Sequence, residues 1–285
     1  MRFKLTEKLG YREEDRLLIV NIDDYGMCNA INTAAEEILA KGNASSCTIM
    51  MPCAWSLDGI RRLSKHRGLE IGVHLTVISE QPYYRWGPLN CPKDVSSLID
   101  RSDRFFYSQS EMKSYTENAL LNEVEAEFRK QIDEAFSSGV KPTHLDSHCH
   151  AHELRDDIFS MTLTLGREYR LPVRIKDRRL RRKAEDEGMP VINYDTLDSY
   201  CLPVKERAKT YTHLLETLPS GVSEWAIHPG KECEELIDME PETWECRTKD
   251  YEFFVSDNLK KVLDEENIHL ISYKKIGETY FNTEV

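Results

Sequence analysis

Short apolar runs alternate with amphipathic helical stretches along nearly the whole chain. Leu17-Leu-Ile-Val20 reads as a buried strand that ends in the polar Asn21-Ile-Asp-Asp24. A helical stripe of Ala30, Ile31, Ala34, Ala35, Ile38 and Leu39 follows, with Gly42 as its stop. Ser46–Met51 reads as a strand, Trp55–Arg67 as a helix and Ile71–Val77 as a third strand. Leu120, Val124, Phe128, Ile132 and Phe136 mark a helix that stops near Gly139. Further helices are expected over Glu153–Arg170, Val204–Leu218 and 249–266, and strands over Pro172–Ile175, Ser223–Ile227 and His269–Ser272. Strand–helix alternation of this kind favours a parallel α/β architecture. Candidate chemical residues follow several distant strands, as at the C-terminal rim of a barrel. We therefore expect a (β/α) barrel, complete or incomplete, instead of an open sheet, with its active site at the C-terminal ends of the strands.

Length and composition fit one such unit, and we read residues 1–285 as a single domain. Residues 78–116 break the pattern, with three prolines, several aromatics and little periodicity. A loop this long is usually functional, and it reads as an insertion over the site. Tyr83, Tyr84, Trp86, Phe105, Phe106 and Tyr107 there either stack on a ligand or pack beneath the loop. The net charge of -12 argues against general nucleic-acid binding. Within Arg174–Lys183, seven of ten residues are cationic; they form either a solvated face or a contact for an anionic substrate group or acidic partner. The eight cysteines contain no C-x-x-C pair, residues 1–16 carry no apolar signal segment, and no apolar run is long enough to span a membrane. The expected location is cytoplasmic.

The chemistry concentrates in His144-Leu-Asp-Ser-His-Cys-His-Ala-His152. In an extended segment, alternate side chains share a face, so His144, Asp146, His148, His150 and His152 would line one side. Imidazole and carboxylate are first-choice transition-metal ligands. At about 3.3 Å per residue, the ends of the run lie too far apart to share one ion, so only part of it can bind directly. Asp23-Asp24, His74 and His228-Pro-Gly230 stand at other strand ends. Taken singly, these are a capped turn, a core histidine and a turn; together they point to a metal centre. Adjacent carboxylates at a strand end can diverge, one holding a cation while the other takes a proton from water.

Four segments, Asn21-Ile-Asp-Asp-Tyr-Gly26, Gly72-Val-His-Leu-Thr76, Thr143–His152 and Ala226-Ile-His-Pro-Gly230, resemble in order the motifs of the YdjC-like carbohydrate deacetylases, which include chitooligosaccharide deacetylases. The resemblance spans residues 21–230. It implies an irregular TIM-like barrel and removal of N-acetyl groups from amino sugars or short oligosaccharides. It implies one divalent ion, Mg²⁺ or Zn²⁺ with Co²⁺ or Ni²⁺ as alternatives, on Asp24, His74 and His148. Asp23 would be the general base and His228 a second catalytic group, with His150 and His152 behind the metal or facing substrate and His144 structural. A homodimer is compatible with it. Ile22, Tyr25 and Cys149 depart from the family's common Ala, Phe, and Gln or His. The competing readings are a barrel metallohydrolase acting on another amide or a phosphate ester, and a catalytically silent metal- or partner-binding protein.

Overall fold

The computed structural model describes residues 5–66 and 68–281. Helix α1 (Leu5–Lys8) precedes β1 (Arg16–Tyr25), α2 (Asn29–Ala40), β2 (Ser46–Ile49), α3 (Ser56–Leu63) and β3 (Ile71–Leu75). Two 3-10 turns, Pro92–Asp94 and Ser96–Leu98, interrupt the segment before α4 (Ser108–Asn118) and α5 (Leu121–Ser137). β4 (Leu145–Ser147) runs into a 3-10 turn at His148–Glu153, then α6 (Asp156–Tyr169) and α7 (Arg178–Asp186). β5 (Leu197–Asp198), the turn Ser199–Cys201, α8 (Arg207–Glu216), β6 (Gly221–Ile227) and α9 (Glu234–Met239) follow. The chain closes with α10 (Trp244–Phe254), α11 (Asn258–Glu265), β7 (Ile268–Leu270) and α12 (Tyr273–Phe281).

All ladders are parallel, in the order β4-β3-β2-β1-β6-β5, with β7 on the first residues of β1. A bridge from Leu145 to Val173 adds one residue pair beyond β4. Among the described residues no ladder joins that edge to β5, so the sheet is a half-barrel and not a closed TIM barrel. Buried on both faces, Leu17–Val20 form the uninterrupted apolar run of a central parallel strand. The expected stripe of α2 is buried in full. Gly42 and Gly139 adopt φ of 71° and 88° just after α2 and α5, where a side chain would strain the left-handed turn.

Several expectations are corrected. The segment 172–175 supplies one bridge instead of a strand. The stretch 249–266 is two helices, parted around Val255–Asp257. Residues 78–116 are not structureless: α4 occupies their end, and Trp86, Val95, Leu98 and Phe105 pack into the core. The C-terminal limit expected for the helix at Trp55, Arg67, lies outside the described residues, as do the extreme ends of the 1–285 domain; the helix itself ends at Leu63. Among the described residues no helix is long and apolar enough to cross a membrane.

The largest correction concerns the histidine-rich run. It is extended only through Ser147 and then turns, because Cys149 and His150 both take left-handed backbone, at φ 53° and 52°. The alternation of faces therefore stops at His148.

Candidate metal centre

β1 delivers the two aspartates. Its pairing with β2 shifts register between Ile22 and Tyr25, and Asp24 lies in that irregularity at φ 63°. Such a bulge re-aims side chains at a strand end. Asp24 consequently faces the ends of β3 and β4, while Asp23, which also lies within 4.8 Å of His74 and Asp146 ligand atoms, reaches His228 beyond the end of the neighbouring β6.

Asp24 Oδ1 lies 3.4 Å from His74 Nε2 and 3.1 Å from His148 Nδ1. One ligand atom from each of the three residues falls within 4.8 Å of the others, and all three residues are buried. Behind His74, Nδ1 donates to Asp146 Oδ1 at 2.7 Å, which leaves Nε2 turned inward. Behind Asp24, Arg247 Nη2 donates to Oδ2 at 2.8 Å and is shared with Glu240 at 2.6 Å. His74 and Asp24 are thus each oriented by a partner of opposite charge, the kind of support that metal ligands commonly have. Burial works against ionisation of Asp24, but Arg247, His148 and His74 overcome it and hold the carboxyl well below its usual range. Burial also works against a proton on His74, yet Asp146 and Asp24 raise its affinity to about 9. His148 is likewise raised against burial, by Cys149, Glu80 and Asp24. One carboxylate and two imidazoles at this spacing fit a divalent cation, whose binding would require both imidazoles to give up any second proton.

Asp23 is held by Arg174, whose Nη1 and Nη2 donate to its two oxygens at 2.6 and 2.9 Å. Asn21 donates a second bond to Oδ1 at 2.8 Å. Oδ1 thus has both lone-pair directions engaged, and Oδ2 keeps one on the side of His228, whose Nε2 is 3.8 Å away. His228 is fixed from behind by Ser199 Oγ at 2.9 Å from Nδ1, and its ring lies 4.3 Å from that of Tyr200.

His150 and His152 separate. His150 is half-buried at the rim, with Nε2 3.2 Å from Lys176 Nζ and 3.6 Å from Asp198. His152 is buried below the turn, between Ser147 Oγ at 2.5 Å and the Arg174 carbonyl at 3.0 Å. His144 lies deeper, stacked on Tyr273 at 4.2 Å.

Sequence reasoning missed Glu224, Arg247, Glu240, Ser199 and Glu80; it set Asp146 on the histidine-rich face and Arg174 in the basic run without giving either a part in the centre. Arg174 is a hub: besides Asp23 it meets Asp146 at 2.9 Å and Glu224 at 2.6 Å. It ties together carboxylates carried by β1, β4 and β6. Its signal was an arginine inside the apolar Pro172-Val-Arg-Ile175, set apart from the solvated charges that follow. The rest of the basic run divides: Arg179 pairs with Asp156 on the surface, while Arg181 is buried and pairs with Asp195. Of the loop aromatics, Trp86 and Phe105 are buried and Tyr83 is exposed; the Trp86 ring lies 5.9 Å from that of His148.

Residues 17–265 match the family described as YdjC-like protein. The chain is 30% identical to a carbohydrate deacetylase of Thermus thermophilus, over 97% of this chain and 99% of that protein. It is 29% identical to a chitooligosaccharide deacetylase of Yersinia enterocolitica, over 61% of this chain and 64% of that one. A crystal structure from Enterococcus faecalis, described as a cellobiose-phosphate cleavage protein, superposes with a TM-score of 0.79 at 25% identity, covering 92% of this chain and 99% of the other.

Proposed function

This chain belongs to the YdjC-like family, and on that premise we propose that it is a metal-dependent carbohydrate deacetylase that frees acetate from N-acetylated amino sugars or short oligosaccharides. The observation that carries the reading is the placement of two adjacent carboxylates, Asp24 against both His74 and His148, and Asp23, clamped by Arg174, beside His228. A protein that only stored a metal would need neither Asp23 nor His228.

Asp24, His74 and His148 would hold the ion. Once bound, the ion supplies Lewis acidity that activates water and polarises the acetyl carbonyl. The residues of the chain do the rest. Asp23 Oδ2, with its remaining lone pair, takes the proton from the attacking water. Arg174 keeps that carboxylate in one orientation, so the proton is received at a defined atom. His228 Nε2, held by Ser199 and the Tyr200 ring, stands on the same side and gives a proton to the departing sugar nitrogen. The carboxylate–imidazole donor set suits Zn²⁺, Co²⁺ or Ni²⁺, while Mg²⁺ prefers more oxygen ligands. Trp86 packs at the edge of the centre, and exposed Tyr83, on the same loop, is available to a sugar face.

The test is acetate release from N-acetylglucosamine oligomers by metal-stripped protein resupplied with one ion at a time. Release that requires an added ion supports the reading. Hydrolysis of other amides or phosphate esters, with no acetate from any N-acetylated sugar, overturns it.

A further inference from the structure

In an extended run, Cys149 would face away from its neighbour His148. The fold reverses this. Left-handed backbone at Cys149, φ 53°, folds the chain back, and the thiol comes beside the imidazole. Glu80, just beyond β3, approaches from another side, with Oε2 2.7 Å from His148 Nε2. That approach is an ionic contact and not an aligned hydrogen bond: the nearly buried Nε2 has no hydrogen-bond partner among the described residues. The ligand atoms of Glu80, His148 and Cys149 lie within 4.8 Å of one another. His148 therefore stands between two clusters, with Nδ1 toward Asp24 and Nε2 toward Glu80.

We propose that Glu80, His148 and Cys149 form a second cation site, selective for a thiophilic divalent ion of the zinc class, that competes with the Asp24–His74–His148 centre for His148. This rests on the reading that the first cluster binds a divalent ion. Thiolate, imidazole and carboxylate are the donors that zinc and cobalt take, whereas magnesium avoids sulfur. On binding, the Cys149 S–H bond breaks, a sulfur–metal bond forms, and the proton passes to solvent; no electron moves. A neutral imidazole has one lone pair, so His148 serves one ion at a time. Zinc in excess therefore draws His148 away from the hydrolytic centre, and magnesium does not.

The test is a Co²⁺ titration of metal-stripped, full-length protein, followed by the thiolate-to-cobalt charge-transfer absorption in the near ultraviolet. The wild type should show the band, Cys149→Ser should lose it, and Glu80→Gln should move its midpoint by about tenfold to higher cobalt. Asp24→Asn, which disables only the first cluster, should keep it. A wild type without the band, or a band that persists in Cys149→Ser, overturns the proposal. Because Glu80→Gln leaves the thiol in place, an unchanged midpoint there also counts against the site, even where Cys149→Ser folds poorly. Failure of the hydrolase reading shows separately, as missing acetate release from wild-type protein that still gives the band.

Discussion

His74 donates its Nδ1 hydrogen to Asp146 at 2.7 Å and turns Nε2 toward Asp24 at 3.4 Å. One imidazole thus joins two aspartates with different tasks. Asp146 sets tautomer and ring orientation, and Asp24 shares the face a cation would occupy. Asp146 is itself held between Arg174 and Thr48. Asp146→Asn should weaken metal binding about 10–100-fold, as loss of such a partner does elsewhere. Calorimetric titration with Zn²⁺ or Co²⁺ measures it. Unchanged affinity would show that His74 needs no partner.

Asp23→Asn should lower kcat about 10²–10⁴-fold, the usual worth of a positioned general base, while metal affinity stays near that of the wild type. Turnover that survives with the ion bound would remove Asp23 from the role of base.

Arg174 is buried against Asp23, Asp146 and Glu224. Arg174→Met would leave these carboxylates without their shared cation. Breaking a buried ionic cluster from one side costs about 3–5 kcal/mol. For a chain of this size, the melting temperature should fall on the order of 10 °C. A variant that melts with the wild type would show that the carboxylates find other partners.

Burial pushes the His144 imidazole down to about 3, against an ordinary value near 6.5. Between those two values the unfolded chain binds a proton there and the folded chain does not. Stability is therefore complete above about pH 6.5 and falls as pH drops toward 3, by about 1.4 kcal/mol per pH unit at most from this group. Denaturant unfolding at pH 7 and pH 5 measures the loss. In His144→Phe, which keeps a ring against Tyr273, the drop should shrink. An equal drop in both proteins would assign acid sensitivity to other groups.

The half-barrel was legible because its signals are local. The α2 stripe repeats at helical spacing, β1 is a continuous apolar run, and each glycine stop closes the helix before it. Asp23, Asp24, His74, His148 and His228 were legible as polar residues at strand ends, where an apolar core leaves little other reason for them. The fate of His150 and His152 was not. Period-two alternation placed them with His148, but two left-handed residues send His150 to the rim and His152 beneath the turn.

What the sequence determined by itself, then, is the strand–helix alternation through β1, α2, β2, α3 and β3 and the polar residues that end β1, β3, β4 and β6, since both follow from neighbours a few positions apart. The tertiary structure decided which charges are buried. Arg247 resembles a solvated cation when read along the chain, and Arg174, set in a short apolar stretch, hints at burial but not at its partners. They become part of the site because Asp23 stands 151 positions from Arg174, and Asp24 stands 223 positions from Arg247, until the sheet closes those distances. A buried guanidinium is tolerable only where carboxylates meet it, and no local pattern records where those carboxylates will be.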